Sequence, residues 1–186
     1  GKAVAFGVDA VDTAGNIYVC GYYNEQANFG SLNAPSTFGK DGYVAKLDSA
    51  GNWIWLNTAN GGYDERVLGL CVDKVNGFVY ATGTTWTWNP DDAFSFGNCN
   101  SLNNPGASDE IFVGKFDFNG ICQWVISAGS DGDDHGYDLV TDKQGNIYLT
   151  GLISDHYGWF GNPATFGAIT LPMPPGADSA SFVAKI

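Results

Sequence analysis

The stretch Gly145-Asn146-Ile147-Tyr148-Leu149-Thr150-Gly151 decides the fold, because near-copies stand at Gly15–Gly21 (GNIYVCG) and Gly77–Gly83 (GFVYATG). The closing glycines lie 62 and 68 residues apart, so the chain is built from a recurring unit of that size. Each copy answers an apolar segment across a turn: Val8 to Asp12 before Ile17 to Tyr22, Leu68 to Asp73 before Phe78 to Thr82, and Asp138 to Asp142 before Asn146 to Thr150. Short β-prone runs on either side of a turn read as a hairpin.

A second pattern follows in each unit. It reads Tyr43-Val44-Ala45-Lys46-Leu47-Asp48, then Ile111 to Asp117, then Ser181 to Ile186, with lysines at 46, 115 and 185 spaced 69 and 70 apart. In the first two units a glycine turn leads on to an aromatic strand, Trp53-Ile54-Trp55-Leu56 and Cys122-Gln123-Trp124-Val125. Four short strands per copy predict an all-β, β-propeller-type array of three four-stranded antiparallel blades in a single segment, 1–186. The blades cover about 4–59, 63–128 and 132–186, and the third lacks its outermost strand. Composition agrees: 15% aromatic residues and 26 glycines suit twisted strands and tight turns, and no window keeps a helical apolar period. Three blades do not close a ring, so the expectation is either a piece of a longer chain or copies that associate.

The series GN-I-Y-x-x-G, F-V-A-K-L-D, a Gly turn and Trp, and then a Gly-rich acidic turn resembles the bacterial SBBP β-propeller repeat and, more broadly, NHL-like blades. The match is closest at Tyr43 to Asp48 and Phe112 to Asp117. Asp9 departs from it, since the other copies have Leu70 and Leu139 there, and the first inner strand is therefore expected to be locally irregular. What the resemblance implies is a secreted or surface-attached protein with no catalytic residues.

Strand direction places the segments Tyr22 to Lys40, Thr84 to Asp109 and Leu152 to Asp178, expected to be irregular insertions, on one rim with the acidic turns 61–66 and 129–136. Long loops on a rigid scaffold are where binding concentrates. Within them Phe29-Gly30, Phe96-Gly97 and Phe166-Gly167 recur and read as packing. The singular residues Trp86, Trp88, Tyr157 and Trp159, with Asp91, Asp92 and Asp155, are the candidate ligand-binding set, because rings stack on sugar or peptide while carboxylates accept hydrogen bonds.

Asp131, Asp133 and Asp134 are candidate calcium ligands, set against the simpler reading that acidic turn residues bond their own backbone. No other cofactor is expected. Cys99 and Cys122 are a candidate disulfide within the second unit, whereas Cys20 and Cys71 read as buried thiols. Net charge −12 repels a nucleic-acid backbone or an anionic lipid surface, and no apolar run reaches a membrane-spanning length. With no nucleophile elbow, phosphate loop or histidine cluster, the expected function is an extracellular, non-catalytic binding or adhesion module whose partner is a carbohydrate or a protein. The alternatives are a structural subunit that self-associates through blade faces or edges and, more remotely, a polysaccharide-active enzyme.

Overall fold

The computed structural model describes residues 2–9, 11–86, 93–103, 108–155 and 163–186, and every regular element among them is a β-strand. In the first unit β1 (Lys2–Asp9) pairs with β2 (Ile17–Asn24), and a small hairpin of β3 (Ala27–Phe29) and β4 (Leu32–Ala34) follows. Then β5 (Lys40–Leu47) and β6 (Trp53–Asn60) complete an antiparallel sheet in the order β1-β2-β5-β6. The second unit runs β7 (Asp64–Asp73), β8 (Phe78–Trp86), hairpin β9 (Ala93–Phe96) and β10 (Cys99–Asn103), β11 (Asp109–Asp117) and β12 (Cys122–Ala128). Its sheet order is β7-β8-β11-β12. The third has β13 (His135–Thr141), β14 (Ile147–Ser154), hairpin β15 (Ala164–Phe166) and β16 (Ile169–Leu171), and β17 (Ser179–Lys185), in the order β13-β14-β17.

No sheet closes into a barrel or a ring. Instead β6 pairs with β9 at Ala59 and Phe96, and Lys40 bridges to Asp64, which joins the first two units through backbone hydrogen bonds. A bridge between Gly129 and Thr165 makes the corresponding link from the second unit to the third. The described parts of the insertions, expected to be irregular, thus contain regular structure. Each carries a hairpin turned at Phe-Gly, where Gly30, Gly97 and Gly167 sit at φ 61°, 58° and 62°, values open to glycine at no steric cost.

Asp9 is not the irregular position either, since it pairs in register with Tyr18. The register slips elsewhere and in all three inner strands, between Ala5 and Gly7, Val67 and Gly69, and Gly136 and Asp138. Across from each slip stands the recurring glycine. A Cβ on Gly21, Gly83 or Gly151 would strike the carbonyl oxygen of Val4, Arg66 or His135. The bulged backbone presses so close to its partner that only a residue without a side chain fits. At the far end of the hairpins the turns are locked by aspartates: Asp12 accepts from the N–H groups of Ala14 and Asn16, Asp48 from Ala50 and Asn52, and Asp142 from Gln144 and Asn146.

The sheets bury one another. Tyr18, Cys20 and Val44 from one face of the first sheet share a cluster with Val79, Ala81 and Phe112 of the second, and β9 wedges Phe94 and Phe96 between them. Tyr80 and Val113 on the opposite face of the second sheet meet Ile147, Leu149 and Phe182 of the third, with Ala164 from the next hairpin. The first sheet's remaining face is covered by its own hairpin through Ala27, Phe29 and Ala34. The third sheet's remaining face is bare. Val183 is 75% exposed there, while its counterparts Val44 and Val113 are 0% and 1% exposed.

The first two sheets also repeat one cross-strand ladder. Tyr18 pairs with Lys46 and Lys46 with Trp55, and Tyr80 pairs with Lys115 and Lys115 with Trp124. The ammonium groups lie over the tyrosine rings at 5.1 Å for Lys46 and 5.5 Å for Lys115. Stacking a cation on an aromatic face lets a lysine sit inside an apolar sheet interface, and Lys46 adds a 3.4 Å ion pair to Asp12.

Cys99 and Cys122 form a disulfide with Cα atoms 5.6 Å apart, pinning β10 to β12, and Cys20 and Cys71 are buried thiols. Closing a loop over a separation of 23 residues stabilises by about 3 kcal/mol in the chain-entropy account. Paired Cys99→Ser and Cys122→Ser substitution is expected to lower stability by about that amount in urea unfolding, while reductant leaves the variant's curve unchanged. Gly83→Ala is expected to cost about 2 to 3 kcal/mol in the same measurement, the overpacking range, because a backbone carbonyl cannot swing aside as a side chain can.

Candidate binding rim

The ends of β5, β7, β8, β11 and β13 meet on the rim that carries the hairpin insertions. Tyr63 precedes β7 and points its ring at two others. The ring of Phe38 stands edge-on at 5.5 Å and 87°, and that of Trp86 at 4.8 Å and 72°. Together with Asp64, Arg66 and Asp109 they line a cleft of about 380 Å³, and Gly39 and Asp133 complete it. Phe38 is 72% exposed, an unusual placement for a large apolar ring.

A charged row runs beside the rings. Asp64 Oδ2 accepts from Lys40 Nζ at 2.6 Å and from Arg66 Nη2 at 2.7 Å. Burial pushes the Asp64 carboxyl upward, but these two cations outweigh it and hold the group below the usual carboxylate range. Asp109 behaves in the opposite way, raised by burial although His135 Nδ1 lies 3.9 Å from its Oδ2. His135 stacks on Tyr137 with ring centroids 5.9 Å apart. A second recess of about 370 Å³ adjoins the first, lined by Tyr22, Lys40, Arg66, Leu68, His135 and Tyr137, so Arg66 faces both.

Beneath this floor, carboxylates occur in pairs at the junctions between sheets. Glu65 and Glu110 are fully buried, and Oε2 of each has no hydrogen-bond partner among the described residues. Burial first, with Asp41 nearby, pushes the Glu65 carboxyl up to about 8. Burial and the adjacent Asp134 push Glu110 up to about 9. A side chain on Gly129 would collide with Glu110 Oε2 and Asp134 Oδ2 together, which places the two carboxyls around one point. Sealed groups of this kind shape the junction but offer no path to a substrate.

Of the residues singled out from sequence, Trp86 and Asp133 line the cleft. Asp155 lies just beyond β14, its N–H donating to the carbonyl of Asp178, and it is not part of the cleft. Trp88, Asp91, Asp92, Tyr157 and Trp159 lie outside the described residues. The three aspartates considered for calcium diverge. Asp131 is exposed and Asp133 faces the cleft, whereas Asp134 turns inward and accepts from Ser130 and Ser154 as a turn residue does. Among the described residues no three metal-ligating side chains converge.

Phe38, Tyr63, Arg66 and His135 were not anticipated. The signal was present for Tyr63: it stands where the next unit has Gly132, so the contrast between singular and recurring residues that selected Trp86 selects it too. Compared with known proteins, the chain matches no family model and no curated protein.

The raised carboxyls carry a pH dependence whose sign follows from linkage. A group that binds its proton more tightly when folded favours folding below its unfolded value, 4.5, and that contribution is lost as pH rises towards about 8 for Glu65 and about 9 for Glu110. Glu110→Gln keeps the shape and removes the charge. Its melting temperature is expected to match the parent's near pH 4.5 and to exceed it increasingly up to pH 9, read by thermal denaturation across that range. A constant offset would contradict the assignment.

Proposed function

We propose that this chain is a non-catalytic binding module built on a β-propeller-type scaffold of the SBBP repeat kind, displayed outside the cell, and that its ligand is a carbohydrate or protein captured at the rim cleft. The observation that carries this reading is the cleft itself: the Tyr63 ring met edge-on by Phe38 and by Trp86, with Phe38 largely exposed, beside the Lys40–Asp64–Arg66 row. An aromatic wall takes the apolar face of a sugar or a peptide side chain, and fixed carboxylate and guanidinium groups orient its hydroxyls or amides. Aligned four-stranded antiparallel sheets, stacked face on face with a shared turn chemistry, support the scaffold. The Cys99–Cys122 bridge suits an oxidising compartment.

A glycan array together with an extracellular-peptide array is the direct test. Phe38→Ala, which removes an exposed ring, and Arg66→Ala are each expected to weaken the strongest signal at least tenfold without loss of fold. Blank arrays, or signals indifferent to both changes, would overturn the reading.

A structural role is favoured by a different observation, the bare face of the third sheet with Val140 and Val183 exposed. Val44 and Val113, which match Val183 in the first two sheets, are covered by the next sheet, so a second copy could offer its first sheet in the same way. Light scattering at micromolar concentration separates the two, with a defined oligomer expected for the structural role and a monomer for the rim module.

A further inference from the structure

The third sheet holds a strand-shaped site that the first two have filled. One edge of β17 pairs with β14, and among the described residues no strand pairs with the other. Beside that open edge lies an apolar groove of about 410 Å³, lined by Ile126, Leu149, Phe166, Leu171, Ala184 and Ile186 among others. In the first sheet the corresponding place is taken by β6 and in the second by β12.

Three features of the filled sites recur at the open one. The Phe-Gly hairpin leans on the fourth strand: Phe29 packs edge-on against Trp53 at 5.0 Å, and in the second unit the Cys122 N–H donates to Asn98 Oδ1 at 2.7 Å. A side chain on Gly30 would meet Trp53 of β6, the fourth strand of its own sheet, whereas a side chain on Gly167 would meet nothing within 4 Å among the described residues. The ladder lysine is flanked by tyrosine and tryptophan in the first two sheets. Lys185 has its tyrosine, Tyr148 at 5.7 Å, and among the described residues no tryptophan opposite. Finally, Leu56 and Val125 reach into the clusters between sheet and hairpin from the residue after the tryptophan, and the groove lies at the matching point beside Ala184.

The geometry points to a β-strand acceptor site: the open edge of β17 and its groove bind an extended peptide segment, from outside residues 1–186, patterned as β6 and β12 are. That pattern is a tryptophan to stand opposite Lys185, an aliphatic residue next to it to enter the groove, two further residues (Asn57-Thr58 in β6, Ile126-Ser127 in β12), and an alanine. Backbone pairing along β17 supplies affinity and the two side-chain seats supply selectivity, as in other strand-addition complexes. The site lies on a different part of the molecule from the rim cleft and does not depend on it.

The test uses the intact 186-residue chain and a synthetic peptide with the sequence of residues 51–61, GNWIWLNTANG. Calorimetry is expected to show one-to-one binding, and hydrogen exchange is expected to show new amide protection confined to residues 181–186 and the hairpin around Gly167. A peptide with alanine for the second tryptophan and serine for the leucine is expected to bind at least tenfold more weakly. Lys185→Ala, an exposed change that leaves the sheet intact, is expected to weaken the parent peptide severalfold. The proposal is overturned if the folded chain fails to bind, or if binding leaves 181–186 unprotected. It is equally overturned if those amides are already protected in a dimer without peptide, which would make a second copy the occupant.

Discussion

A sheet of four short strands has two apolar faces and can bury neither by itself. Every larger feature of this molecule answers that constraint. The first sheet covers one face with its own hairpin and the other with the second sheet, and the second sheet passes its remaining face to the third. The hairpins are therefore part of the core. Phe94 and Phe96 lie fully buried between two sheets, and the pairing of β9 with β6 ties each wedge to the unit before it. Recurring residues follow from the same demand. The lysines of the first two units occupy sheet interfaces because aromatic rings take their charge, Tyr18 and Phe118 for Lys46 and Phe78 and Tyr80 for Lys115, and the glycine of each unit lets the bulged inner strand approach.

Stacking has an electrostatic side. Where sheets meet near the rim, carboxyl groups are carried inward with the strand ends, and Glu65 and Glu110 are held there in the protonated form. Asp64, one residue away from Glu65, keeps its charge because Lys40 from the neighbouring sheet and Arg66 share it. Adjacent acids on one strand thus take opposite roles, one facing the cleft with cations and one facing the junction without them. The alternation of side chains along β7 is what separates them.

Much of this was legible in the residues. The copies of GNIYxxG marked the inner hairpins, the lysines at 46, 115 and 185 marked the third strands, and the spacing of Cys99 and Cys122 within one unit suggested their bridge. The hairpins inside the insertions were not, because strands of three or four residues are too short to show alternation, and only the recurring Phe-Gly hinted at a shared structure. Asp9 misled because the bulges hide the register: Val8, paired with Val19, is the residue that stands where Leu70 and Leu139 stand, and Asp9 pairs one residue further along with Tyr18. The rim cleft was half visible. Trp86 stood out as singular, but Phe38 and Tyr63 come from two separate connections and the adjoining His135 from the start of β13, and no spacing along a chain announces that they will meet.

The disulfide sits in only one of the three hairpins, and that asymmetry ranks the two junctions. The wedge between the first and second sheets is covalently fastened to β12, while the wedge between the second and third is held by the bridge at Thr165 and the contact of Phe166 with Phe182. Heat or traction applied to the oxidised chain therefore meets a graded fastening, in which the third sheet peels away first and the leading pair stays together. In a reducing medium the covalent fastening is lost and the first junction rests on the pairing of β9 with β6 and the Lys40–Asp64 bridge, so the margin between the two junctions becomes a readout of the redox surroundings.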